Sequence, residues 1–241
     1  MGHAAVAVRR QPRIAILSTG DELVPSGNRP GVGQIVASNH LCIGGLAGMA
    51  GAEVRQLGIA RDTREDLARR IADAEGADIL VTIGGASVGD HDLVAPVLNE
   101  CGATLAFWKI NMRPGKPLMF GRLGRSCVLG LPGNPASALV GARMFLVPLV
   151  WALLGRPATA CVRPVTARLA GALAANGVRQ RYMTAVSAVG ESGGLEVSVL
   201  DRQHSSLIAP LAAADCLVVR PPHAPALPAG CLVPTLRLDI A

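Results

Sequence analysis

The sequence predicts a three-layer α/β domain followed by a small all-β, barrel-like domain, and three observations carry that reading. Short apolar runs alternate with helix-like patterns from Arg13 to about Gly155, the signature of a sheet flanked by helices. Several of these runs exit through glycine-rich turns that lead directly into helical patterns. Beyond Pro157 the texture changes to short β-like runs separated by Gly and Pro clusters. The division falls at residues 1–157 and 158–241, one large domain and a smaller appended one.

The elements follow in order. Arg13 to Ser18 (RIAILS) reads as a short buried strand entering the turn TGDEL. After a loop rich in Gly and Pro, Ser38 and Asn39 can cap a helix that carries a small-residue face (Gly44, Gly45, Ala47, Gly48) and ends at Gly51. Glu53 to Ile59 is the second strand, and Asp62 caps the next helix with Glu65 in capping-box spacing. Ala77 to Ile83 is the third strand, followed by a helix from about Asp92 to Asn99. Ala103 to Ile110 is another strand, and Pro117 to Arg122 pairs with Ser126 to Leu131 as a hairpin about Gly124. Asn134 caps a long apolar helix that starts at Pro135, where the missing proline N–H does no harm, and stops before Gly155. The second domain offers strands at Val162 to Leu169, Tyr182 to Val189, Leu195 to Leu200, Cys216 to Val219 and Leu232 to Leu238.

Composition narrows the function. Half the residues are hydrophobic but only 2% are aromatic, so few rings are available to stack bases, and nucleic acid is not an expected partner. The net charge of +6 comes mostly from scattered arginines, which suits a small anion better than a polyanion. Six cysteines stand apart with no CxxC pair and read as buried reduced thiols. No leader-like segment and no membrane-spanning window is expected, which points to a cytoplasmic protein.

Three glycine-rich runs concentrate the chemistry. In TIGGASVGDHD (82–92) the glycines Gly84, Gly85 and Gly89 permit positive φ and can aim backbone N–H groups at one point, with the Ser87 hydroxyl beside them. Asp90 and Asp92 stand at the entry to the next helix. Taken singly, each reads as an ordinary cap; beside an amide cradle for phosphate, the pair reads as ligands for Mg²⁺. PGNPAS (132–137) repeats the logic, with a turn and then a helix N-terminus suited either to capping alone or to holding an anion. Arg113 and Lys116 lie in MRPGKP, two cations on a stiff turn. TGDEL adds Asp21 and Glu22 at another strand exit, on the edge where open α/β sheets bind ligands. Neither a Walker A motif nor GxGxxG is present.

In this order the runs STGDEL, GQIVASN, TIGGASVGDHD, MRPGKP and GLPGNPAS resemble the molybdopterin-binding (MoaB/Mog-like) α/β domain of the molybdopterin molybdenumtransferase family (MoeA, gephyrin E-domain), and the RQRYM and QHSS segments resemble its terminal β domain. The resemblance covers the chain from about Arg13 to the end. It implies a transferase of molybdenum cofactor biosynthesis that converts adenylylated molybdopterin and molybdate to molybdenum cofactor and AMP. On that resemblance Asp92, with Asp90 and Glu22, is catalytic, and Asp90 and Asp92 hold Mg²⁺. Thr19, Asp21, Gly84, Gly85, Ser87, Gly89, Pro132, Gly133 and Asn134 grip the substrate, and Arg113, Lys116, Pro117, Ser137, Arg179, Ser205 and Ser206 take molybdate.

The family also implies a homodimer whose cleft is completed by an N-terminal domain of the partner subunit. This chain reaches STGDEL almost at once, so a fragment, a split-gene product working with a separate N-terminal-domain polypeptide, or an independent protein are all expected possibilities. The alternative activities are a catalytically incomplete molybdopterin-binding module and a molybdopterin adenylyltransferase, the latter disfavoured by the β domain and the PGKP loop.

Overall fold

A computed structural model describes residues 2–240 apart from 86–92, 191–192, 202 and 207. In chain order the first part comprises β1 (Arg13–Thr19), β2 (Leu23–Val24), β3 (Ile35–Val36), α1 (Asn39–Met49), β4 (Glu53–Ala60), α2 (Arg64–Ala72), β5 (Ile79–Ile83), α3 (Val94–Glu100), β6 (Ala103–Trp108), β7 (Met112–Arg113), β8 (Met119–Leu123) and β9 (Ser126–Leu131). A continuous helical run follows as α4 (Pro135–Gly141), a π turn (Ala142–Leu146) and α5 (Val147–Leu153). Pro148 explains the π turn, because proline cannot donate to the carbonyl four residues back and the ladder slips just before it.

Six of these strands form one sheet in the order β4-β1-β5-β9-β8-β6, parallel from β4 to β9 and antiparallel through the β8–β9 hairpin. The unbroken apolar run of β1 follows from burial on both faces. Ile14 and Ile16 pack against α1, α4 and α5, whereas Ala15 and Leu17 pack against α2 and α3. Three layers result, as the sequence predicts.

The second part holds β10 (Val165–Leu169), β11 (Gln180–Val189), β12 (Leu195–Val199), α6 (Ile208–Ala213), β13 (Cys216–Arg220) and β14 (Leu232–Arg237). The order β12-β10-β14-β13-β11, with β11 pairing back onto β12, closes a five-stranded barrel around Leu169, Met183, Ala185, Val197, Val218 and Val233. Its outer edge is extended by β7, which leaves the first part of the chain to pair with β11.

Several expectations need correction. Thr63, not Asp62, caps α2: its side chain accepts from Asp66 N–H at 3.3 Å, and the Asp66 carboxylate accepts from Arg61 N–H at 2.9 Å. Ser38 and Asn134 precede their helices without side-chain capping bonds, and Asn39 instead donates Nδ2 to the Gly133 carbonyl at 2.6 Å. Only Cys161 and Cys216 are buried, and Cys42 is exposed. Contrary to the sequence expectation, the run Pro135–Leu153 is long and apolar enough to cross a membrane by length and composition, but most of it is buried in the core. Neither α6 nor the two-residue β7 was foreseen.

Candidate functional site

Parallel strands bring their carboxyl ends to one edge, and here the exits of β1, β5 and β9 meet around a cleft of ≈ 760 Å³. Thr19, Gly84, Gly85, Pro132, Gly133 and Asn134 line it. Gly84 has φ +95°, and a Cβ there would stand 2.5 Å from the Thr19 carbonyl oxygen, so only glycine lets the two strand ends approach. Gly85, at φ +57°, lies equally tight against Val94. The Gly84 N–H is spent on the Leu131 carbonyl at 3.0 Å, so this amide closes the sheet edge and does not face a ligand. The Thr19 hydroxyl is buried with no partner among the described residues.

Two carboxylates enter this cleft among the described residues, Glu22 and Asp62. Asp21 turns aside: its carboxylate accepts from Asp62 N–H at 3.2 Å, and its own N–H reaches the Asp62 carboxylate at 3.4 Å. The Asp62 carboxyl titrates above its ordinary range, first because burial disfavours its charge and then because Asp21 and Glu22 are close, with the Asp21 N–H working against them.

A smaller cavity of ≈ 300 Å³ adjoins the cleft and shares Pro117 and Asn134 with it. Its wall is cationic, built from Arg113 at the end of β7, from Lys116 of the β7–β8 loop and from Arg179 and Arg181 of the barrel, with Ser137, Tyr182, His204 and Ser205 between them. Among the described residues, none of those lining it is acidic. Burial lowers the Arg181 guanidinium below its usual value, and the neighbouring Arg113 and Arg220 charges add to that. The barrel docks onto this site by backbone bonds: Ala136 N–H donates to the Ser205 carbonyl at 3.0 Å and Gln180 N–H to the Asn111 carbonyl at 3.1 Å. The first of these takes one of the helix-terminal amides that the sequence left for an anion.

The sequence-predicted residues therefore divide. Thr19, Glu22, Gly84, Gly85, Pro132, Gly133 and Asn134 meet in the cleft, and Arg113, Lys116, Pro117, Ser137, Arg179 and Ser205 meet in the cationic cavity. Asp21 lines neither, and Ser206 lines the cleft rather than the cavity. Ser87, Gly89, Asp90 and Asp92 lie outside the described residues. The run Gly85-Ala86-Ser87-Val88-Gly89 also has nucleophile-elbow spacing, and its serine falls in that same stretch. Sequence reasoning missed Asp62, by placing the helix cap one residue early, and did not assign Arg181, which joins Arg179 in the cavity wall. Among the described residues, no three His, Cys, Asp or Glu side chains converge to hold a metal.

Comparison with known proteins gives the chain's family. Residues 15–152 match the family described as probable molybdopterin binding domain, and residues 166–238 match the MoeA C-terminal region (domain IV). The chain is 33% identical over 226 residues to a molybdopterin molybdenumtransferase of Haemophilus influenzae, covering 91% of this chain and 54% of that protein. It is 43% identical over 154 residues to one from a Nostoc species, covering 62% of this chain and 35% of the relative. A crystal structure of a molybdopterin biosynthesis MoeA protein from Pyrococcus horikosii superposes with a TM-score of 0.81 at 30% identity, covering 95% of this chain and 55% of that one. The chain thus spans about half the length of the Haemophilus and Pyrococcus proteins, and its match to the Nostoc protein about a third.

Proposed function

Because the chain belongs to the molybdopterin molybdenumtransferase (MoeA) family, we propose that it supplies the substrate-holding wall of a molybdenum insertase, which takes adenylylated molybdopterin and molybdate to molybdenum cofactor and AMP. One observation carries this reading: a large cleft edged by carboxylates and a small cationic cavity touch at Pro117 and Asn134. An extended nucleotide-pterin in the first would lie against a compact oxyanion in the second.

The chain's own groups then have distinct tasks. Arg113, Lys116, Arg179 and Arg181 hold the oxyanion by charge-assisted hydrogen bonds, and Ser137 and Ser205 orient it. The strand exits at Thr19, Gly84 and Gly133 set the floor under the pterin-nucleotide, and the Thr19 hydroxyl, which has no partner among the described residues, bonds it. Glu22 and Asp62 face the phosphoanhydride, where a carboxylate of raised pKa can accept a proton from attacking water. Their hard oxygen donors fit Mg²⁺, which when bound would neutralise phosphate charge; Asp90 and Asp92 are proposed to join them. Asp92 remains the proposed principal catalytic carboxylate.

The test is AMP release from adenylylated molybdopterin with Mg²⁺ and molybdate, measured for the chain alone and with the N-terminal half of a full-length relative added. Release in either setting supports insertion, with release only on addition marking a complemented dimeric enzyme. Substrate binding without release in both settings replaces the proposal with a binding module. AMP transfer from ATP to molybdopterin would instead identify an adenylyltransferase, against which the domain IV match stands.

A further inference from the structure

Three arginines stand in one row across adjacent strands at the end of the barrel. Arg113 on β7 pairs in register with Arg181 on β11, and Arg181 pairs in register with Arg220 on β13. Residues paired in register project to the same face, and alternation along β11 and β13 makes it the face of Met183 and Val218, the barrel interior. Accessibility falls along the row: Arg113 is exposed, Arg181 is half-buried and Arg220 is 2% exposed.

Arg220 is underused as a structural group. Its Nη2 donates to the carbonyls of Ala224 and Pro225, whereas Nε and Nη1 are buried without a hydrogen-bond partner among the described residues. Among the described residues none of the three arginines enters an ion pair. A buried guanidinium with no counter-ion is unfavourable, and two adjacent like charges make it more so. The two carbonyls account for one nitrogen. Among the described residues nothing compensates the rest of that charge, and Arg113 and Arg181, the next two members of the row, line the cationic cavity.

We propose that Arg220 sets the charge preference of the cationic cavity, favouring tetrahedral dianions over monoanions of the same shape. The inference rests on reading that cavity as an oxyanion site. Arg220 does not line it and acts by its field on Arg181 and the cavity, so it is a positioning residue. The depressed titration of Arg181, caused by burial first and then by Arg113 and Arg220, is consistent with such crowding. The selectivity is electrostatic: the energy of an anion in a fixed field scales with the anion's charge, so losing one fixed cation costs a dianion twice what it costs a monoanion.

Tungstate and perrhenate are matched probes, tetrahedral oxyanions of similar size that differ by one charge. Their affinities are to be measured calorimetrically at constant ionic strength on the whole chain and on Arg220→Met, Arg220→Gln and Arg220→Lys. If Arg220→Met weakens tungstate about tenfold, perrhenate should weaken only about threefold, so their ratio falls about threefold, and Arg220→Lys restores it. Arg220→Gln keeps a donor for the Ala224–Pro225 turn and should show the same fall, which covers the case of a poorly folded Met variant. An unchanged ratio in both neutral variants, whether the two affinities drop together or not at all, overturns the proposal and leaves Arg220 a strut for that turn. Absence of binding of either anion to the unmodified chain overturns the oxyanion reading itself, and this inference with it.

Discussion

Gly84 offers the sharpest test of how the cleft is built. An alanine at φ +95° pays the left-handed penalty of about 1–2 kcal/mol. Its Cβ would also lie 2.5 Å from the Thr19 carbonyl oxygen and 2.9 Å from the Thr19 hydroxyl, so the end of β1 must move away from β5. Together these give a destabilisation of about 2–4 kcal/mol. Gly133, on the opposite lip of the same cleft, is the control: its Cβ would meet Gly84 Cα at 3.6 Å, an ordinary contact, and its φ lies outside the left-handed region. Gly133→Ala is expected to change stability by less than about 1 kcal/mol, and a rise is admissible because the unfolded chain loses freedom. Urea unfolding followed by Trp151, which is buried in the α/β core, should therefore show a midpoint lower by about 1 M for Gly84→Ala and little change for Gly133→Ala. Equal midpoints for the two variants would refute the argument that strand-end approach, rather than glycine content, shapes this edge.

Three further outcomes are expected. Arg181→Met should weaken tungstate binding at least about tenfold, the worth of one charge-assisted hydrogen bond, with unfolding unchanged or improved; calorimetry and a thermal melt check both parts. Asp62 has a folded pKa above its unfolded value, so its charge costs nothing in acid below the unfolded value and lowers stability increasingly as pH rises through the window between the two. Asp62→Asn should accordingly raise the urea midpoint at neutral pH and leave it unchanged in strong acid, while AMP release falls; a lower neutral midpoint contradicts the sign. Arg143, buried in the π turn, donates Nε to the Arg237 carbonyl at 3.1 Å and Nη2 to the Asp239 carbonyl at 3.2 Å, tying the end of the chain to the helical run. Arg143→Met leaves both carbonyls unpaired and should cost about 2 kcal/mol, read from the midpoint of denaturant unfolding.

What the sequence made legible and what it hid differ in range. RIAILS could be recognised as a central strand because burial on both faces demands unbroken apolarity, a purely local signal. The strand exits were legible for the same reason, since a parallel sheet sends them to one edge whatever the rest of the chain does. Asp62 was misread because Asp62–Glu65 and Thr63–Asp66 both satisfy a capping spacing one residue apart, and the bond that frees Asp62 for the cleft comes from Asp21, 41 residues away. The two residues of β7 carry no strand signal at all. They are a strand only because Gln180 and Arg181 lie beside them, and that same register, not the composition of RQRYM, adds Arg181 to Arg179 at the cavity. The cleft is thus encoded by local patterns within one sheet, whereas the cationic cavity exists only once the barrel has closed and docked. Residues of the second kind are visible in a sequence only by their charge, and only pairing and docking across distant strands say which of several arginines come together.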